Sequence, residues 1–100
     1  MAIKSFKSRA LKKFWQGDVS KVKADHVDKI KDILSVMHAS HHPQDLKAVF
    51  PSFEEKKGSG AGVFSIQVNG NWRVTFQIET DGAILVDYLD YHGKNIRAVK

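Results

Sequence analysis

The chain has 100 residues, 42% of them hydrophobic and 27% charged, a composition that fits one globular domain able to bury roughly 65% of its unfolded surface. It has no cysteine, which excludes disulfides, thiolate nucleophiles and Cys-ligated zinc or iron–sulfur centres. Lys and Arg outnumber Asp and Glu by 16 to 11, and the formal net charge of +5 favours an anionic partner: nucleic acid, an acidic protein or a membrane surface. There is no secretory h-region and no apolar run near the roughly 20 residues needed to span a bilayer, so the expected location is the cytoplasm, without a membrane partner.

Residues 3–6 read as a short edge strand. Leu11, Phe14 and Trp15 follow at i, i+3 and i+4, one face of a helix that starts near Lys7 or Ser8 and stops at Gly17. Arg9, Lys12 and Lys13 fall on its outer surface, a solvated face that would also suit phosphate contacts. A second helix is expected over residues 25–39, because Val27, Ile30, Ile33, Leu34 and Met37 repeat at spacings of three and four. Asp25 is the expected cap and Asp28 suits the dipole. His38, His41 and His42 gather at its end. His38 and His42 have a metal-ligand spacing, but Pro43 disfavours helix at His42 and no completing carboxylate is expected, so no metal site is assigned. Residues 43–49 can add a short helical turn.

From Phe50 onward the period changes from helical to alternating. Residues 51–57 form a weak strand ending in Lys56-Lys57, and the glycines at 58, 60 and 62 form a hairpin connection into a strand over 63–68. A phosphate-cradling loop would lead into a helix instead. Asn69-Gly70 marks the next hairpin, before a strand over 71–78. A connection that includes Asn71 pairs Val68 with Trp72, Ile66 with Val74 and Phe64 with Phe76, which gives one apolar face. Asn71, Arg73, Thr75 and Gln77 then point away from the helices, with Arg73 on an open face. Asp81-Gly82 turns the chain into a last strand over 83–91, in which both alternating sets contain apolar residues, as expected of an interior strand. Its end carries Asp90, Tyr91 and His92: a carboxylate, a phenol and an imidazole. Taken alone, this triplet is either the decoration of a strand end or a site held rigidly on one. The fold class is α+β, with two N-terminal helices packed on a small antiparallel sheet.

At Val68-Asn69-Gly70-Asn71-Trp72-Arg73-Val74-Thr75-Phe76 and Asp87-Tyr88-Leu89-Asp90-Tyr91-His92 the chain resembles HigB-type toxins of the RelE/ParE superfamily. The opening Ile3-Lys4-Ser5-Phe6-Lys7 and the spacing from Lys57-Gly58 to the last triplet agree. The resemblance makes residues 1–92 a single toxin domain and 93–100 a basic tail. It implies a toxin that binds the ribosome and cuts messenger RNA, restrained by a HigA-type antitoxin whose complex commonly represses its own operator DNA. Carried over by position, the catalytic residues would be Lys57, Arg73, Asp90, Tyr91 and His92, with Lys56 and Lys94 as further RNA contacts and no cofactor.

The chemistry agrees with that assignment. Metal-free RNA cleavage uses the substrate's own 2′-hydroxyl as nucleophile, so the protein must manage protons and the charge building on the phosphoryl oxygens. Lys57 and Arg73 suit the phosphate, Arg73 through its bidentate fork. His92 can act as general acid or base, Asp90 can orient or charge-stabilise that imidazole, and Tyr91 can stack on a base or bond the phosphate. Three departures from the family pattern stand out. Ser59-Gly60 replaces an Asp-Arg pair common after Lys57-Gly58, Glu54 stands where relatives can hold histidine, and the tail beyond His92 adds Lys94, Arg97 and Lys100. Two readings compete with a nuclease: a non-catalytic toxin like the gyrase-directed branch of the superfamily, and an RNA-binding domain without cleavage.

Overall fold

The computed structural model describes residues 1–58, 62–80 and 82–90. Among these, three α-helices and five strands form an α+β domain: β1 (Ala2–Ile3), α1 (Arg9–Trp15), α2 (Val27–Ala39), α3 (Pro43–Val49), β2 (Glu54–Glu55), β3 (Phe64–Asn69), β4 (Trp72–Glu79) and β5 (Gly82–Asp90). The sheet order is β1-β5-β4-β3-β2. All neighbours are antiparallel except β1 and β5, whose parallel pairing the long intervening chain permits. Among the described residues no helix is long and apolar enough to cross a membrane.

Helix α1 begins where Ser8 Oγ accepts the Leu11 N–H at 3.1 Å. It ends in a Schellman turn, with Gly17 at φ +108°, its N–H on Phe14 O and the Asp18 N–H on Lys13 O. Leu11 and Phe14 are buried as expected, while Trp15 stays partly exposed against His38. In α2 the stripe Ile30, Ile33, Leu34 and Met37 is fully buried. Each such side chain contributes about 1.5–3 kcal/mol on leaving water. Asp25, the expected cap of α2, does not cap it. A 3-10 turn over Ala24–His26 precedes the helix, and His26, at the cap position, turns its ring inward. Helix α3 starts with Pro43 at its first position, and Asp45 Oδ2 reaches back to accept the His41 and His42 N–H groups.

The helices cover one face of the sheet, where Ile66, Val68, Val74, Phe76, Ala83 and Val86 join them in a single core. The β3–β4 register pairs Phe64 with Phe76 and Ile66 with Val74, as the apolar pattern requires. It departs from expectation at the turn: Trp72 faces Asn69 rather than Val68, because a bulge between Gln67 and Asn69 absorbs one residue. The bulge reconciles two demands, since the apolar face keeps its register while Gly70, at φ +56°, closes a tight turn.

A second bulge lies in β5. Asp87 pairs with Thr75, yet Ile84 pairs with Gln77, so β5 holds one extra residue between them. Leu85 takes φ +53° there, and its N–H donates to Ser5 Oγ at 2.9 Å. A leucine in left-handed backbone costs about 1–2 kcal/mol, and the bond from the N-terminal segment offsets part of it. The consequence is a change of facing: after the bulge Val86, Tyr88 and Asp90 share the helix side, where unbroken alternation from Ala83 would have put Asp87 and Leu89.

Candidate active site

The face away from the helices is built from the residues alternate to the core set. Pairing runs Glu54–Ser65–Thr75–Asp87 across β2, β3, β4 and β5, and the next row runs Gln67–Arg73–Leu89. Arg73 therefore points away from the helices as expected, but the face is not open. Ser65 is 0% and Thr75 4% exposed, and Arg73 is half-buried. Two atoms on this face are buried without a hydrogen-bond partner among the described residues: Ser65 Oγ and Arg73 Nε. A half-buried arginine on the central strand with an unanswered donor has unused capacity for an oxyanion, which that enclosed Nε meets only when its cover moves aside.

The lysines of the β2 edge separate. Lys56 continues the ladder through its N–H to Val63 O, and its Nζ binds Glu54 Oε1 at 2.6 Å. That bond, with the Lys56 charge and then that of Arg73, holds the Glu54 carboxyl below its usual value against a smaller opposing effect of burial. Lys57, one residue on, lines a depression with Gln44 and Lys47 of α3, Phe53, Phe64 and both Glu54 and Glu55. Lys56 is thus the lysine bonded to Glu54, the carboxylate on which the Arg73 charge also acts, while Lys57 adjoins Glu54 from the α3 side.

Asp90 occupies the other side of the sheet. It pairs with Trp72 and lines a cleft of about 310 Å³ with Lys23, Asp25, His26 and the Asn69–Asn71 turn. The floor of this cleft is a cluster that the sequence did not announce. Trp72 and Tyr88 stack at 4.5 Å, His26 meets both edge-on, and Lys23 Nζ sits 5.6 Å from the Trp72 ring centre. His26 is 2% exposed, with Nδ1 2.7 Å from the Tyr88 hydroxyl. That hydroxyl also accepts the Lys23 N–H at 3.4 Å. Burial pushes the Tyr88 phenol up, so it keeps its proton. Sequence gave a lone histidine beside a helix start and no period to show that it faced inward.

Of the sequence-assigned residues, Lys56 and Arg73 share one face, Lys57 lies toward α3, and Asp90 lies on the helix side at the sheet's rim. Tyr91, His92 and Lys94, with the whole 93–100 tail, lie outside the described residues, as do positions 59–61 of the glycine-rich loop and Asp81 of the last turn. His38 faces β1, where its Nδ1 accepts the Ile3 N–H at 3.2 Å.

Comparison with known proteins points the same way as the motifs. The model of a HigB-like toxin family, described as RelE-like toxin of type II toxin–antitoxin system HigB, matches residues 4–92. The Endoribonuclease HigB of Proteus vulgaris is 38% identical over 91 residues, covering 90% of this chain and 99% of that protein.

Proposed function

We propose that this chain, which belongs to the HigB-like family of RelE-like toxins of type II toxin–antitoxin systems, is an endoribonuclease that cuts messenger RNA on the ribosome. The observation that carries this reading is Arg73: a guanidinium fixed on the central strand, half-buried, with Nε enclosed and unanswered among the described residues. Such a fork, once uncovered, suits a phosphodiester, and its fixed place on the strand favours the negative charge that develops. The activity named for the Proteus vulgaris relative supports the same reading.

In the proposed reaction the 2′-oxygen attacks the adjacent phosphorus as its proton passes to a general base. The bond from phosphorus to the 5′-oxygen breaks, and that oxygen leaves with a proton from a general acid. The products are a 2′,3′-cyclic phosphate and a 5′-hydroxyl. Arg73 grips the non-bridging oxygens, Lys56 supplies charge beside it, and Lys57 meets the RNA from the α3 side. His92 carries a proton, Asp90 at the rim of the sheet acts on that imidazole through its charge, and Tyr91 and Lys94 contact the RNA.

Type II membership carries an antitoxin partner. We assign that partner to the HigA type, place the toxin in the cytoplasm, and expect the complex to act on operator DNA through the antitoxin. Inducing the toxin in cells and mapping transcript ends tests the reading. Cuts confined to translated frames, and lost with either His92→Ala or Arg73→Ala, are the expected result. Growth arrest that persists unchanged in both variants, with intact transcripts, would point instead to a non-catalytic toxin.

A further inference from the structure

Glu54 and Glu55 are adjacent in sequence but divide between the two sides of the sheet. Glu55 pairs with Phe64, on the helix side, whereas Glu54 pairs with Ser65, on the side of Arg73. Glu54 is also where a carboxylate is least helpful to an RNA-binding face, since its charge opposes that of the substrate. Its surroundings are nonetheless specific. Its Oε1 is held by Lys56 Nζ at 2.6 Å, and the Lys56 side chain is only 16% exposed while that of Glu54 is 52% exposed. Lys56 is thus the anchored partner and Glu54 the accessible one. The Arg73 charge also acts on this carboxylate, which stays ionised at neutral pH.

We propose that Glu54 is an internal occupant of the phosphate site, a carboxylate that holds Lys56 and screens Arg73 until the RNA phosphodiester displaces it. This rests on the nuclease reading of the same face and adds a tuning residue to it. The geometry gives both halves of the exchange: a tethered anion already bound by a site cation, and a neighbouring guanidinium with a buried donor unanswered among the described residues. Bound phosphate would take over Lys56 and Arg73, and the Glu54 side chain would swing into solvent. The cost of that exchange weakens substrate affinity without entering the bond-breaking step.

The test is Glu54→Gln in the full-length toxin, beside Glu79→Gln, which removes the same charge from an exposed position at the far end of β4. Cleavage is followed on ribosomes programmed with mRNA, and affinity is measured separately with the same mRNA carrying one 2′-deoxynucleotide at the cut position. Glu54→Gln is expected to lower KM and tighten binding by about threefold to fivefold, the scale of one exposed ion pair, with kcat unchanged. The gain should fade as salt rises, and Glu79→Gln should give less than half of it. Equal effects from the two variants would overturn the proposal. So would a collapse of kcat at unchanged KM, which would make Glu54 a proton carrier. Tighter binding by Glu54→Gln in a protein that never cuts would sink the nuclease reading and leave the competition standing.

Discussion

The two faces of the sheet are made from alternate residues of the same strands, yet they treat polar groups in opposite ways. On the helix side, buried polarity is answered: His26 Nδ1 meets the Tyr88 hydroxyl, which meets the Lys23 N–H, and the rings interlock with Trp72. On the other side, Ser65 Oγ and Arg73 Nε are buried without such an answer among the described residues. Stability alone would not keep an unanswered donor, because leaving one costs about 1–3 kcal/mol. A face that binds a ligand can keep it, since the ligand completes it. The helix side therefore carries most of what holds the fold, with Asp90 and Lys57 at its margins, and we propose that the opposite face grips the RNA through Arg73.

Substitutions can break this division. The largest effect on stability is expected from Phe76→Ala, a side chain 1% exposed in the core, which should destabilise by about 3–5 kcal/mol in denaturant titration. Arg73→Met is the opposite kind of change. It should lower kcat by about 10²–10³-fold, the range for removing an oxyanion donor, while its denaturation midpoint stays level or rises. A large loss of stability in Arg73→Met would erase the distinction between the faces. Next in size is His26→Phe, expected to cost about 1–2 kcal/mol by stranding the Tyr88 hydroxyl. Adding Tyr88→Phe should recover much of that loss, and a double-mutant cycle measures how much.

The smallest effect concerns pH. Asp45 is held below its usual value first by the His42 N–H and then by the His41 N–H. A carboxylate depressed in the folded state stabilises it fully above the ordinary aspartate value of about 3.9 and loses that contribution as pH falls through the folded value. Amide exchange at His41 and His42 should therefore quicken, relative to the rest of the chain, only in strongly acidic solution. Asp45→Asn should flatten that dependence.

The helix side was largely legible in the sequence, because the α2 stripe and the apolar pairs Ile66–Val74 and Phe64–Phe76 are periodic. What sequence could not supply was the facing of the last strand. It turns on the bulge at Leu85, whose N–H is satisfied by Ser5, 80 residues away in the chain. No local pattern encodes a partner at that distance, yet it decides that Asp90 lies on the helix side, opposite Arg73. The inward His26 was hidden for a related reason: its rings for company, Trp72 and Tyr88, come from strands far along the chain. On the outer face Arg73 could be assigned from the motif and the register. Lys56 falls on the Glu54 side of the sheet because alternation at the β2 edge continues one residue past the paired strand.

On the proposed mechanism the outer face promotes attack by the RNA's own 2′-hydroxyl. The most direct measurement is cleavage, on translating ribosomes, of an mRNA in which only the nucleotide before the mapped cut carries a 2′-deoxy sugar, with end-group analysis of the unmodified control. Loss of that cut alone, with a 2′,3′-cyclic phosphate and a 5′-hydroxyl in the control, is the predicted result. Undiminished cutting at the deoxy position would contradict it.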